Sequence, residues 1–256
     1  MTTQPAPFVW HDLITTDPAA ARQFYRAVFG WNMQSFSPDN DYTVLSAGKV
    51  GVGGIMAIPP DACERGAPPC WQGYIAVDDV DLYAGRIGAS GGTILRAPAD
   101  IPEVGRFALV TDPQGAVFII FKAASSEPMP TAAPGTPGLV GWNELHAVDG
   151  LQAFDWYSAL FGWTVSQDMD MGPLGIYRLF AAGGEPIGGM MTKMPDMPYP
   201  FWAYYINVES LDAAIERTLQ AGGKLMHGPQ EVPGPMYIAN CQDPQGAWFS
   251  MVAPRR

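Results

Sequence analysis

Two stretches decide the reading of this chain: Trp10–Trp31, WHDLITTDPAAARQFYRAVFGW, and Trp142–Trp163, WNELHAVDGLQAFDWYSALFGW. They align without a gap at a shift of 132, matching Trp10 with Trp142, Leu13 with Leu145, Asp17 with Asp149, Tyr25 with Tyr157, and Phe29-Gly30-Trp31 with Phe161-Gly162-Trp163. Chance supplies roughly one or two identities over such a window. Further blocks repeat in the same order: Asp112-Pro113-Gln114-Gly115-Ala116 returns as Asp243-Pro244-Gln245-Gly246-Ala247, and Val52-Gly53-Gly54-Ile55-Met56 returns as Ile187-Gly188-Gly189-Met190-Met191. Order-preserving self-similarity marks a tandem duplication.

Working outward, each stretch predicts one strand followed by one helix. Phe8 to Thr16 is a strand candidate with aromatic and branched residues. Asp17-Pro18 then supplies a carboxylate N-cap and a proline at the first helical position, and Gly30 supplies the left-handed stop. Ala21, Tyr25, Val28 and Phe29 form an apolar helix face. Strands are predicted over 31–37, 42–47 and 50–58, with Gly53-Gly54 marking a bulge or a close backbone approach. The pattern restarts with a strand over 71–77, a helix capped by Asp79 carrying Val80, Tyr83 and Ile87, and strands over 93–96, 106–111 and 116–121. Each copy therefore holds two strand–helix–three-strand units. The expected organisation is a first domain over 1–124, an exposed linker rich in Ala, Pro, Ser and Gly over 125–138, and a second domain over 139–256.

Composition narrows the function classes. The 256 residues are 48% hydrophobic and 15% charged, with a net charge of −11. Such a chain buries a sizeable core, and its acidity disfavours nucleic acid and anionic membrane surfaces as partners. Three cysteines without a C-x-x-C pair suggest free thiols. Met1 to Pro5 carries no signal-peptide pattern, so the expected location is cytoplasmic. P-loop, G-x-G-x-x-G and G-x-S-x-G motifs are lacking.

The helix pattern D-x-x-x-A-x-x-F-Y-x-x-x-F-G-W (Asp17 to Trp31, and Asp149 to Trp163 with Trp156 for the phenylalanine), closed by D-P-x-G-A before a last strand, resembles the vicinal oxygen chelate superfamily of glyoxalases, bleomycin-resistance proteins and dioxygenases. The Trp-x-Asp/Glu-Leu openings resemble bacterial two-domain glyoxalase-like proteins. The resemblance implies an α+β fold of four βαβββ modules forming two cupped mixed sheets with helices outside. It also implies inward-facing metal ligands at set strand positions. The first, counted back fourteen residues from the helix tyrosine, gives His11 and Asn143. The others give Gln72 and Ala203, Ile119 and Ser250, and the carboxylate-free Gly-Gly strands. No complete set survives, so the implied cofactor is none or a weakly bound divalent metal on His11.

Two functional expectations follow. One is a small-molecule binder holding an apolar or aromatic compound against Gln72, Asn143, Phe201, Tyr205, Met56 and Met191, since aromatic and thioether side chains suit flat apolar ligands. The other is a metal-assisted lyase, isomerase or dioxygenase using His11. Glu144 and His146, two apart on one strand, share a face and form a candidate acid–base pair; a structural pairing is the plainer reading. Phe201, Ala203 and Tyr205 are expected on one face of their strand, and Trp202 and Tyr204 on the other. The segment Met194 to Pro200 reads as a lid or a rigid connector, and His227 as a loop residue. One chain supplies both halves of each site, so a monomer suffices and a homodimer is compatible.

Overall fold

A computed structural model describes residues 5–37, 40–127 and 130–256. The expectation of no leader at Met1 to Gln4, and the linker positions Pro128 and Met129, lie outside the described residues. The first copy runs β1 (Phe8–Thr15), α1 (Pro18–Phe29), β2 (Asn32–Ser37), β3 (Asn40–Ala47), β4 (Val50–Ala57), the short α2 (Pro60–Glu64), β5 (Cys70–Ala76), α3 (Val80–Ala89), β6 (Thr93–Ile101), β7 (Gly105–Thr111) and β8 (Val117–Ala123). The second runs β9 (Val140–Ala147), α4 (Gly150–Phe161), β10 (Thr164–Asp170), β11 (Ile176–Ala181), β12 (Pro186–Thr192), β13 (Phe201–Asn207), α5 (Leu211–Gln220), β14 (Lys224–Val232), β15 (Met236–Gln242) and β16 (Trp248–Ala253). These are the four βαβββ modules, and they form two eight-stranded mixed sheets ordered β2-β3-β4-β1-β5-β8-β7-β6 and β10-β11-β12-β9-β13-β16-β15-β14. Within each module the first and last strands pair parallel and the hairpins antiparallel, as in β1 with β4 and β3 with β4.

The helix boundaries follow their local chemistry. Asp17 and Asp149 accept from the amides of Ala20 and Gln152. Gly30 and Gly162 close the two helices at φ near +70°, a conformation that costs a side-chain-bearing residue roughly 1–2 kcal/mol. Trp31 and Trp163 follow directly and are almost fully buried. Each satisfies its indole N–H on a backbone carbonyl, Gly138 and Ala6 respectively. The expected linker is exposed over much of its length but ends at buried Gly138, whose amide bonds the Asn207 carbonyl.

Contacts divide the described residues into two compact units that each draw on both copies. One comprises the described parts of Met1–Val9, Gly73–Glu127 and Trp142–Trp202; the other comprises those of Trp10–Gln72, Pro128–Gly141 and Ala203–Arg256. In the latter, Leu13, Phe24, Tyr25, Val28, Leu45 and Ile55 share a core with Ile206, Leu211, Phe249 and Met251. In the former, Tyr83 stacks on Phe161 and Trp163 on Phe180. Each unit carries the same interlock. Tyr25 of α1 donates to Asp243 Oδ2 at 3.0 Å and accepts from Trp71 Nε1 at 3.0 Å. Tyr157 of α4 donates to Asp112 Oδ2 at 3.2 Å and accepts from Trp202 Nε1 at 3.1 Å. The other carboxylate oxygen of each aspartate accepts backbone amides of its own D-P-Q-G turn.

Three sequence expectations need adjusting. β6 extends to Ile101 rather than ending near Arg96, because its hairpin with β7 continues beyond two register shifts. His227 belongs to β14, at a register shift against β15, not to a loop. The short α2 and a 3-10 turn at Gly172–Leu174 carried no sequence signal long enough to read. The three cysteines are unpaired, as expected. Among the described residues no helix is long and apolar enough to cross a membrane.

The interlock predicts an unusual pH response. Burial holds the Asp243 carboxyl above the ordinary value of 3.8, against the opposing pull of its hydrogen bonds. The folded state thus binds this proton more tightly than the unfolded chain, and Asp243 subtracts stability as pH rises from below 3.8 through its raised value, with no further change above. The urea stability of wild type relative to Asp243→Asn is therefore expected to be greatest at the acid end of this window and to decline with rising pH. A difference that instead grows with pH rejects the assignment. Tyr25→Phe, measured at neutral pH, is expected to cost about 1.5–3 kcal/mol, the range for a hydrogen bond to a charged group.

Candidate functional site

The side of each half-sheet away from its helix is set by strand alternation. On β1, Leu13 enters the helix-side core, so His11 and Thr15 share that side, while Trp10, Asp12 and Ile14 take the other. On β9, Leu145 marks the helix side with Asn143, leaving Trp142, Glu144 and His146 on the open side. The two open faces carry the same construction. Trp10 Nε1 donates to Tyr42 Oη at 2.8 Å and lies 3.0 Å from Asp12 Oδ1, and Tyr42 Oη donates to Asp12 Oδ1 at 2.7 Å. Trp142 Nε1 donates to Tyr177 Oη at 2.7 Å, and Tyr177 Oη donates to Glu144 Oε2 at 2.7 Å. Burial, reinforced by the neighbouring Asp12 charge, pushes the Tyr42 hydroxyl far above its ordinary range, so it stays protonated and donates.

The paired glycines make this arrangement possible. A Cβ on Gly53 or Gly188 would collide with the backbone oxygen of His11 or Asn143, and one on Gly54 or Gly189 would clash with the hydroxyl end of the Tyr42 or Tyr177 ring. The first glycine of each pair thus permits a close strand approach, and the second lets a tyrosine lie flat across β4 or β12 to reach the carboxylate.

The two faces then diverge. In the second copy His146 adds an imidazole whose Nε2 lies 2.8 Å from Glu144 Oε1. Its ring stacks on Phe201 at 4.8 Å and 24°. Met191 is its register partner on β12. A carboxylate only accepts, so the short contact assigns the proton of the neutral ring to Nε2 and leaves a lone pair on Nδ1. Nδ1 is buried and has no hydrogen-bond partner among the described residues. A buried polar atom left in that state costs about 1–3 kcal/mol. The first copy has Ile14 at this position, opposite Met56.

The structure brings Glu144, His146, Phe201 and Met191 together. His11 lies on the helix side, edge-to-face with Tyr204 at 4.7 Å and 66°. Asn143 donates to the Ile187 carbonyl at 2.9 Å. Gln72 contacts Cys70 Sγ at 3.9 Å. Tyr205 is buried at the register partner of Ser250. Trp202 turns to Tyr157 while Phe201 turns to His146, matching the expected split of that strand. The segment after β12 is tied down by Lys193, whose amide bonds Ala147 O and whose Nζ donates to Met197 O at 2.6 Å. Tyr42 and Tyr177 escaped the sequence reading, although they are 135 residues apart, the same offset as the two glycine pairs.

Comparison with known proteins agrees with this architecture. Residues 145–251 match the glyoxalase/bleomycin resistance protein/dioxygenase superfamily, and residues 8–48 match the bleomycin resistance protein-like N-terminal family. The chain is 34% identical to CFP32, a proposed glyoxylase of Mycobacterium tuberculosis, over 96% of this chain and 94% of that one. The chain belongs to the glyoxalase/bleomycin resistance protein/dioxygenase superfamily. It is also 30% identical to the anthracycline biosynthesis protein DnrV of Streptomyces peucetius, covering 98% of this chain and 94% of the other. Its fold is similar to that of the Mn(II)-bound glyoxalase from Novosphingobium aromaticivorans, with a TM-score of 0.64 at 15% identity, covering 98% and 82% of the two chains. It is likewise similar to the 2,3-dioxygenase LapB from Pseudomonas sp. KL28, with a TM-score of 0.67 at 13% identity, covering 99% and 93%.

Among the described residues no three His, Cys, Asp or Glu side chains group to hold a metal ion. The carboxylates Asp12 and Glu144 already accept tyrosine hydroxyls, and the neighbouring Trp10 and Trp142 contribute indole N–H donors.

A methyl on Gly189 must displace Tyr177 and break its bond to Glu144. Gly189→Ala is expected to lower stability by about 2–4 kcal/mol, combining overpacking with a lost charged hydrogen bond. In a Tyr177→Ala background the same substitution should be nearly neutral in urea unfolding. An equal loss in both backgrounds would assign the glycine some other role.

Proposed function

We propose that this glyoxalase-like protein binds a small aromatic or apolar molecule on the open face of β9 and β12, without a complete metal site. The observation that carries this reading is the composition of that face. Trp142, Tyr177, His146 and Phe201 present aromatic rings, Met191 presents a thioether, and Glu144 is held in place by hydrogen bonds. Flat rings and a polarizable sulfur reward planar apolar ligands. The relationship to an anthracycline biosynthesis protein supports a polycyclic aromatic compound as the ligand class. Met56, Gln72 and Tyr205 are secondary candidates for ligand contact.

A metal-assisted lyase, isomerase or dioxygenase reaction is the second reading, favoured by the proposed-glyoxylase relative and by the fold shared with a Mn(II)-bound enzyme. It would draw on His11, whose helix-side position argues against it.

Titration with a panel of planar aromatic compounds, followed by tryptophan fluorescence and ligand-observed NMR, separates the two. Binding is expected to be saturable and unchanged by chelator treatment. Phe201→Ala should weaken it about tenfold, equivalent to about 1.4 kcal/mol. Binding or turnover that needs about one equivalent of divalent metal per chain, and that is lost in His11→Ala, would replace this reading with the metal-assisted one.

A further inference from the structure

The imidazole of His146 is held as if to receive something. Its Nε2 is engaged by Glu144, its ring is stacked on Phe201, and its Nδ1 is buried with a lone pair and no hydrogen-bond partner among the described residues. Holding the local structure does not require it. The first copy builds the same tryptophan, tyrosine and carboxylate arrangement with Ile14 in the equivalent place. An imidazole there carries a cost that an aliphatic side chain avoids, since unsatisfied buried acceptors are unfavourable. Glu144 orients the ring in the manner of a carboxylate behind a catalytic histidine, fixing the tautomer.

We propose that the second copy's site takes a hydroxylated aromatic compound, a phenol or an enol conjugated to an aromatic ring, whose O–H is accepted by His146 Nδ1. This deepens the aromatic-binding reading above and rests on it. For an acidic hydroxyl the proposed step is transfer of the proton. The O–H bond breaks with its electron pair remaining on oxygen, the proton forms an N–H bond at Nδ1, and the imidazolium stays against the Glu144 carboxylate while the phenoxide stays bound. Ligand access requires the side chains around Nδ1 to part. Phe201, the ring stacked on His146, directly follows a segment ending in exposed Tyr199 and half-buried Pro200. His146 thereby becomes the residue that selects hydroxyl-bearing ligands, and the first copy's face, with Ile14, lacks that selectivity.

The test uses the full-length protein and two probes of similar shape: 4-nitrophenol, at a pH where the free probe is protonated, and its methyl ether 4-nitroanisole. Wild type is expected to bind the phenol about tenfold more tightly than the ether, the ratio a buried hydrogen bond supplies, and the bound phenol should show the nitrophenolate absorbance. His146→Ile, which places the first copy's residue in the second, should abolish the difference between the two probes, the phenol losing about tenfold more affinity than the ether. Nitrogen NMR of histidine-labelled wild type gives a readout that needs no variant. The proton should reside on Nε2, and the Nδ1 resonance should move with 4-nitrophenol and not with 4-nitroanisole. Equal affinities in wild type, an undiminished preference in His146→Ile, or a proton on Nδ1 would each overturn the assignment while leaving aromatic binding intact. Failure of both probes to bind would overturn both.

Discussion

The buried bond from a helix tyrosine to a turn aspartate is the constraint on which this molecule is organised. Tyr25 reaches Asp243, and Tyr157 reaches Asp112. In each case the helix comes from the first module of one copy and the turn from the last hairpin of the other. The aspartate is placed by amides of its own turn, the tyrosine by aromatic packing on its helix, and a tryptophan N–H satisfies the phenol's remaining acceptor site. Burial makes these carboxyls harder to ionise, so the arrangement tolerates a small electrostatic cost to bind modules far apart in sequence. The duplicated D-P-Q-G turns therefore serve as fixed receptors for the duplicated helices as well as closing hairpins.

With the helix side committed to that packing, the opposite face carries the tryptophan, tyrosine and carboxylate network. There the second glycine of each pair is the enabling residue. By offering no side chain, Gly54 and Gly189 let Tyr42 and Tyr177 cross a strand and meet a carboxylate on the next. The tryptophans at 10 and 142 complete each network. Their indole nitrogens donate and cannot ligate a cation, so the residue types present serve aromatic contact and hydrogen-bond placement better than ion binding.

Much of this architecture was legible because its signals are local. Asp17-Pro18, Gly30 and the apolar spacing between them specify a helix whose ends match to the residue, and the repeat carried that reading to 142–163. The site was harder. Counting positions placed His11 on the ligand face, whereas the alternation set by Leu13 puts it among the helix-side residues. Glu144 and His146 were visible as a pair on one strand. Their partners Tyr177 and Phe201 come from strands roughly 30 and 55 residues further on, and no spacing rule reaches that far. Gly53-Gly54 announced a close approach without saying what approached. The answer, a tyrosine ring, depends on hairpin register, which sequence fixes only weakly.

Duplication explains why the two faces can differ. Two copies of the tryptophan, tyrosine and carboxylate network begin with equal structural duties, and either can be altered so long as its own sheet still forms. The first copy keeps the shorter Asp12, whose Oδ1 accepts from both Trp10 and Tyr42, and the aliphatic Ile14. The second carries Glu144, one methylene longer, whose two oxygens are divided between Tyr177 and His146. That extra reach lets one carboxylate serve the fold through Oε2 while holding an imidazole through Oε1. The longer side chain and the histidine two residues on are therefore one feature, and it is absent from the first copy at both positions.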